Sequence, residues 1–580
     1  MSEESQFQIV SPDPLVEVHL PDGQVVRGPR QAPVIGFLSA ITKSDDVPIV
    51  GAVINGELRE LTFPVGIESE VRPVSMAETD GMRIYRRSLT FLLETAFEYL
   101  FPGAILTVDH SIAFGGYYCA VLNHAPLTAQ ELCSLEGKMW ELVEADLPFL
   151  RQVVPIEEAI DYFKTRGELD KISLLKHRSK NYLTIYQLGQ RMDYHHGYMV
   201  PSTGYLRWFQ LSPAGEGFTL RFPRHHQPTT IADLPEYPKL LRAFRQYGDW
   251  LTTLGISSVG ALNDAIQGDR IHEVILVSEA LHEKHVAEIA AQIAARSEDL
   301  RVVLVAGPTS SGKTTFAKRL SVQLLAYGLV PFPLELDNYF VDRDKTPVDE
   351  NGKPDFESLD TLDRHRLSMD IQHLIAGETI TLPRFDFISG KSVPGETVRL
   401  TSREIIILEG IHGLHPALIS GIPASQTFRI YVSALTQLNL DHQNRVSTTD
   451  TRMLRRIVRD AYQRGYTAQQ TIGRWESVRH GEKHYIFPYQ ENADVMFNSA
   501  LVYELSALKP LVEPLLRQVP YGTTEYIETK RLLSLLEWVL PLMDQRIPDN
   551  SILREFIGGS ILRDFTLWHN HQHPNEGINR

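Results

Sequence analysis

Cysteine is nearly absent: 580 residues carry two, Cys119 and Cys133. Two thiols cannot build a disulfide framework or a thiolate metal site, and their scarcity points to a reducing, cytoplasmic setting. Long apolar runs are missing too. The best candidate, Leu532 to Met543, is short for a bilayer and carries Glu537, so no membrane association is expected. The first residues, Met1-Ser2-Glu3-Glu4-Ser5, are acidic and polar, unlike a secretory signal. Positive charge is in deficit. Lys and Arg number 57 against 72 Asp and Glu, and the net charge of -15 opposes a broad nucleic-acid footprint. Internal repeats and low-complexity tracts are also lacking. What remains is ordinary for a globular protein, at 43% hydrophobic and 22% charged, with length for about three or four domains.

The most informative stretch is Gly307-Pro308-Thr309-Ser310-Ser311-Gly312-Lys313-Thr314, followed by Thr315. It lies between the apolar run Val302 to Ala306 and the helix-compatible Phe316 to Leu320. A strand, a GxxxxGK[ST] loop and a helix form the context of a phosphate-binding P-loop. Its glycines let backbone N–H groups turn around an anion, and the helix N-terminus adds partial positive charge. Lys313 is expected to bridge the β- and γ-phosphates of ATP, and Thr314 to offer its hydroxyl to Mg²⁺.

Two further strands are predicted at Val330 to Leu336 and Arg403 to Leu408, and a third at Phe428 to Val432. Apolar strands alternating with helices predict an α/β domain with a parallel sheet covered on both faces. Ligands of such sheets sit at the carboxyl ends of the strands, where Asp337 and Glu409 fall beside the P-loop. A carboxylate there can take a proton from an attacking hydroxyl or hold Mg²⁺. Arg452, Arg455, Arg456 and Arg459 recur at i, i+3, i+4 and i+7, one face of a helix, and Arg464 follows a turn later. Forked guanidiniums suit a polyphosphate.

In the front half, Val16 to Leu20 alternates, and Asn55-Gly56 between Ile54 and Leu58 signals a hairpin. Tyr85 to Leu100 has helical period, ended by Pro102-Gly103. Helices are also expected around Leu240 to Leu254, stopped by Gly255, and around Ala280 to Ile293. The adjacent pairs His195-His196 and His225-His226 read as solvated or hydrogen-bonded loop residues. His569, His571 and His573 read as a solvated end.

Two resemblances follow from these residues. Gly307 to Thr315, Asp337-Asn338-Tyr339, Asp355-Phe356-Glu357, Phe385-Asp386-Phe387, Glu409-Gly410-Ile411, Asp450 to Asp460 and Ala493-Asp494-Val495 together resemble the uridine kinase and phosphoribulokinase family. The resemblance implies a kinase using ATP and Mg²⁺. Asp337 would be the general base on a nucleoside 5′-hydroxyl, and Thr314 and Glu409 would hold Mg²⁺. Tyr339, Glu357 and Phe385 would line the nucleoside site, while Arg456, Arg459 and Arg464 would serve the lid. This chain departs from the family pattern at Glu357 (usually Asp), Phe385 (Tyr), Gly390 (His) and Tyr466 (Arg). Uridine or cytidine is therefore the first expectation for the acceptor, with a phosphoribulokinase-like sugar as the alternative.

The front half resembles the N-terminal part of threonyl-tRNA synthetases, through Leu20 to Gly23, Val53 to Leu58, Arg87-Ser88 with Leu92-Leu93, Gly115 to Tyr118, Ile185 to Gln187 and Asp193 to Pro201. The resemblance implies a small β-grasp-like TGS module at 12–75 and an α+β editing-type domain at 76–225. The family's metal-ligand positions fall on Arg87, Phe91, His195 and Met199, three of which offer no imidazole or thiolate. A helical connector at 226–297, a kinase domain at 298–500 and a helical extension at 501–580 complete the expected layout. The rival of another class is a P-loop ATPase or regulatory protein whose front modules contact RNA. Oligomeric state is left open.

Overall fold

The computed structural model describes residues 11, 13–41, 47–112, 115–233, 237–348, 352, 354–386, 388–401, 403–436, 438–543 and 546–565. Phe387 and the histidines His569, His571 and His573 lie outside the described residues, as do Met1 to Ser5. The chain divides into two units. The first comprises Met1–Leu234, Leu440–Arg445 and Val519–Leu535; the second comprises Pro235–Asn439, Val446–Gln518 and Leu536–Arg580. Among the described residues no helix is long and apolar enough to cross a membrane.

The first unit opens on a five-stranded mixed sheet, ordered Val25–Pro29, Leu15–His19, Ser69–Ser75, Ile49–Ile54 and Glu57–Arg59. Its hairpin turns at Asn55-Gly56, both at positive φ (49° and 82°), the backbone that a two-residue hairpin loop requires. Val18, Val34, Phe37 and Ala52 form its core. The helix Thr79–Leu100 starts six residues before the sequence expectation. Glu78 precedes it in extended backbone, Asp80 lies in its first turn, and Met82 and Ile84 are already buried. It packs in one core with the antiparallel sheet Gln210–Ala214, Gly217–Arg221, Gly116–Leu122 and Ile105–Ile112.

Glu528 joins the later segment of this unit to that helix, between Arg83 (2.6 Å) and Arg531 (2.6 Å). Burial pushes its carboxyl upward, but Arg531 and Arg83 outweigh it and hold the group far below the usual range. A depressed carboxyl contributes stability above its unfolded pKa, about 4.3, and loses it as pH falls toward the folded value. Glu528→Gln is expected to cost about 3 kcal/mol in denaturant unfolding at neutral pH. The difference from the unaltered chain should shrink steadily below pH ~4.3.

The second unit carries a five-stranded sheet, ordered Val330–Glu335, Glu404–Glu409, Val302–Ala306, Thr427–Ser433 and Val495–Asn498, with every pairing parallel. All five residues of the P-loop strand Val302–Ala306 are buried, as a strand covered on both faces demands. The P-loop helix Lys313–Ala326 follows. Leu334, Leu336, Leu367 and Leu408 belong to a core that includes the helix Arg364–Ile375. The expected helices appear as Pro238–Leu254, closed by Gly255 in left-handed backbone, and Ile271–Ala294. This is an α/β arrangement in which the P-loop links the central strand of a parallel sheet to a helix.

Candidate active site

The carboxyl edge of the parallel sheet gathers the chemistry. In register Glu409 is opposite Val305 on one side and Glu335 on the other. The P-loop leaves the sheet directly after Ala306, and Asp337 lies in the short turn Leu336–Tyr339 just beyond Glu335. Gly307 faces the backbone so closely that a Cβ would lie 1.9 Å from the Val432 carbonyl oxygen. Gly312 takes φ +85° at the helix start, where a side chain would be strained.

Three groups pull P-loop carbonyls outward. Arg452 Nε donates to Thr309 O (2.9 Å), Arg455 Nη1 to Ser310 O (3.4 Å) and Ser499 Oγ to Ser311 O (2.5 Å). Arg452 and Arg455 are 1% and 0% exposed, a departure from a stripe facing a ligand. Glu482 pairs with Arg452, and Glu504 accepts from Arg455 Nε at 2.7 Å. These two arginines therefore brace the loop. With its carbonyls held outside, the loop can turn N–H groups inward. Ser310 and Ser311 also carry buried hydroxyls with no hydrogen-bond partner among the described residues. A cradle with buried polar atoms to satisfy fits a polyphosphate.

Lys313 is 9% exposed and donates to Pro308 O at 3.2 Å. Burial lowers its pKa, and Glu409 and Glu555 raise it. Thr314 Oγ1 donates to Glu409 Oε2 at 3.1 Å. An alcohol and a carboxylate, both hard oxygen donors, fit a Mg²⁺ ion. Burial lifts the Glu409 carboxyl to about 7 against the pull of Lys313. Solvent reaches Asp337, yet protein atoms crowd it. That crowding raises its pKa, while Lys313 and Arg464 lower it. Glu357 is likewise raised by burial and lowered by Arg456 and Lys313. Lys313 thus acts on three carboxyls, two of which, Asp337 and Glu409, lie at the carboxyl edge of the sheet.

Arg456, Arg459 and Arg464 converge on Asp460, at 3.2, 3.2 and 3.4 Å. Three guanidiniums around one carboxylate leave a surplus of two positive charges (3 − 1 = 2). Phe385 is 9% exposed with its ring edge-on to Phe340 at 5.6 Å. Tyr339 sits deeper, 1% exposed in the core, and its hydroxyl donates to Asp370 Oδ2 at 3.0 Å.

Residues 302–506 match the Phosphoribulokinase / Uridine kinase family model. Over that stretch, which is less than half of the chain, the protein is similar to P-loop phosphotransferases. Among solved structures, neighbours of this chain include a "Possible Uridine Kinase" from Bacillus stearothermophilus (19% identity, 37% of this chain, 97% of that one, TM-score 0.26). D-glycerate 3-kinase from Cryptococcus neoformans var. grubii is another (15%, 37% and 89%, TM-score 0.27). Outside the kinase region, the front part is similar to threonine–tRNA ligase from Paraburkholderia xenovorans (strain LB400), 32% identical over 198 residues. That alignment covers 34% of this chain and only 31% of the ligase.

In that front part, His195 is buried rather than solvated. Its ring lies 4.9 Å from Phe91, and burial lowers its pKa to about 3. Glu94, Asp193 and His195 bring their ligand atoms within 4.8 Å of one another. Lys171 and Arg191 both bond to Asp193, so the cluster already contains the positive charge an ion would bring. His196 is bonded to the Arg531 carbonyl at 3.2 Å.

Local pattern gave no sign of Glu482, Ser499 and Glu504 as supports of the loop. They reach Arg452 and Arg455 from separations of 30, 44 and 49 residues.

Proposed function

We propose that the kinase region transfers the γ-phosphoryl group of ATP to the 5′-hydroxyl of a nucleoside, with uridine or cytidine the first choice. The observation that carries this is the placement of Asp337 and Glu409 at the ends of adjacent strands beside Lys313. Gly307 to Thr315 hold the triphosphate, and Asp337 accepts the proton of the attacking hydroxyl. Thr314 and Glu409 would hold Mg²⁺, which when bound neutralises phosphate charge. Lys313 and the surplus charge of Arg456, Arg459 and Arg464 stabilise the transferring group. Glu357 and Phe385 orient the acceptor, the carboxylate on sugar hydroxyls and the ring against the base, above the floor supported by Tyr339. Most of the acceleration then comes from positioning and charge.

The same proposal takes 12–75 and 76–225 as binding or regulatory modules appended through 226–297 to a kinase domain at 298–500, with 501–580 as its extension. ADP release from ATP and Mg²⁺, measured across nucleosides and sugar phosphates, tests it. Stimulation by uridine or cytidine is expected. Stimulation by a sugar phosphate alone would replace the nucleoside, and hydrolysis indifferent to every acceptor would replace the kinase with an ATP-driven switch.

A further inference from the structure

The segment after Pro548 reaches the P-loop from the far end of the chain. Ile552, Leu553 and Phe556 are fully buried, so the segment is anchored. Phe556 lies beneath the Arg455 guanidinium at 5.0 Å, and a Cβ on Gly312 would stand 2.6 Å from Ile552 Cγ2. Lys318, on the P-loop helix, donates to the carbonyls of Leu562 (2.7 Å) and Arg563 (3.1 Å). Gln463 donates to the Glu555 carbonyl at 2.7 Å.

The side chain of Glu555 makes the telling contact. Its Oε2 accepts the backbone N–H of Thr315 at 3.1 Å. That N–H is among the first four of the helix Lys313–Ala326, which have no partner inside the helix and face an anion in a phosphate cradle. Glu555 also acts electrostatically on Lys313, Glu409 and Arg459. A carboxylate therefore stands where loop, lysine and lid arginine converge. A triphosphate in the same cradle would meet it as a like charge, with a shared claim on the Thr315 N–H.

We propose that the C-terminal segment regulates the kinase site by competing with the nucleotide: Glu555 fills an anion position of the P-loop and withdraws when ATP binds. This rests on the region being an ATP-dependent kinase. The segment then sets how much ATP is needed before the site loads, since a site available only part of the time binds with proportionally lower apparent affinity.

Glu555→Gln keeps an acceptor for Thr315 but removes the charge. Calorimetric titration of ATP with Mg²⁺ into the full chain should show binding about tenfold tighter in the variant, the difference between a charged and a neutral hydrogen bond. Equal or weaker binding by the variant overturns the proposal. If neither chain binds ATP while both remain folded by circular dichroism, the kinase reading falls and the proposal with it. If the variant binds more tightly yet phosphorylates no nucleoside, the competition stands and only the acceptor reading is lost. Should Glu555→Gln fail to fold, hydrogen exchange on the unaltered chain decides. ATP should speed exchange at 551–557 while protecting 307–315, and protection of both stretches overturns the proposal.

Discussion

Asp337→Asn is expected to slow phosphoryl transfer to the acceptor by about 10²- to 10⁴-fold, the usual contribution of a positioned base. The amide preserves size and polarity but cannot accept the hydroxyl proton. ATP binding should stay near that of the unaltered chain, because the proposed function assigns the triphosphate to the loop and Lys313 rather than to Asp337. Single-turnover transfer measured by rapid quench, beside equilibrium ATP binding, separates the two effects. Full-rate transfer by Asp337→Asn would remove the base from its assigned role. Glu409 could not readily substitute for it, being bonded to Thr314.

Arg455→Met should destabilise the second unit by about 3–5 kcal/mol, because it strips the partner from a buried carboxylate. Glu504 is 2% exposed and Arg455 fully buried, so neither can turn to solvent. The substitution also frees the Ser310 carbonyl and the Ser499 hydroxyl and carbonyl. ATP affinity should fall with stability, since the loop loses one of the groups that hold its carbonyls outward. Urea unfolding measures the first effect. The double variant Arg455→Met with Glu504→Gln should recover part of the loss, because an amide tolerates burial better than an unpaired charge. A double variant no more stable than the single one would mean that the ion pair is not the source of the cost.

The elements most legible in the sequence were those specified by neighbours in the chain. The P-loop strand, its glycines and its helix all lie within 302–326 and appear where local pattern puts them. The periodic apolar stretches became helices at Pro238–Leu254 and Ile271–Ala294 for the same reason. The arginine stripe was legible as one helix face, yet its environment was not. Arg452 and Arg455 are buried because Glu482 and Glu504 arrive from elsewhere, and no spacing rule within Thr448–Arg464 contains them. Glu555 lies 240 residues from Thr315, so nothing near the P-loop announces it. His195 does lie in a loop, but it is buried rather than solvated, against Phe91 on a helix far upstream that no local pattern announces.

The order of the parallel strands bears on how the chain is made. Val302–Ala306 is the centre of its sheet, but it is synthesised before either neighbour, Glu404–Glu409 or Thr427–Ser433, exists. A ribosome would therefore extrude an apolar, unpaired segment that must wait for distant sequence before it can be seated, which lengthens exposure to aggregation and to chaperones. In a nascent chain, the nucleotide cradle would be among the last parts of the sheet's edge to mature.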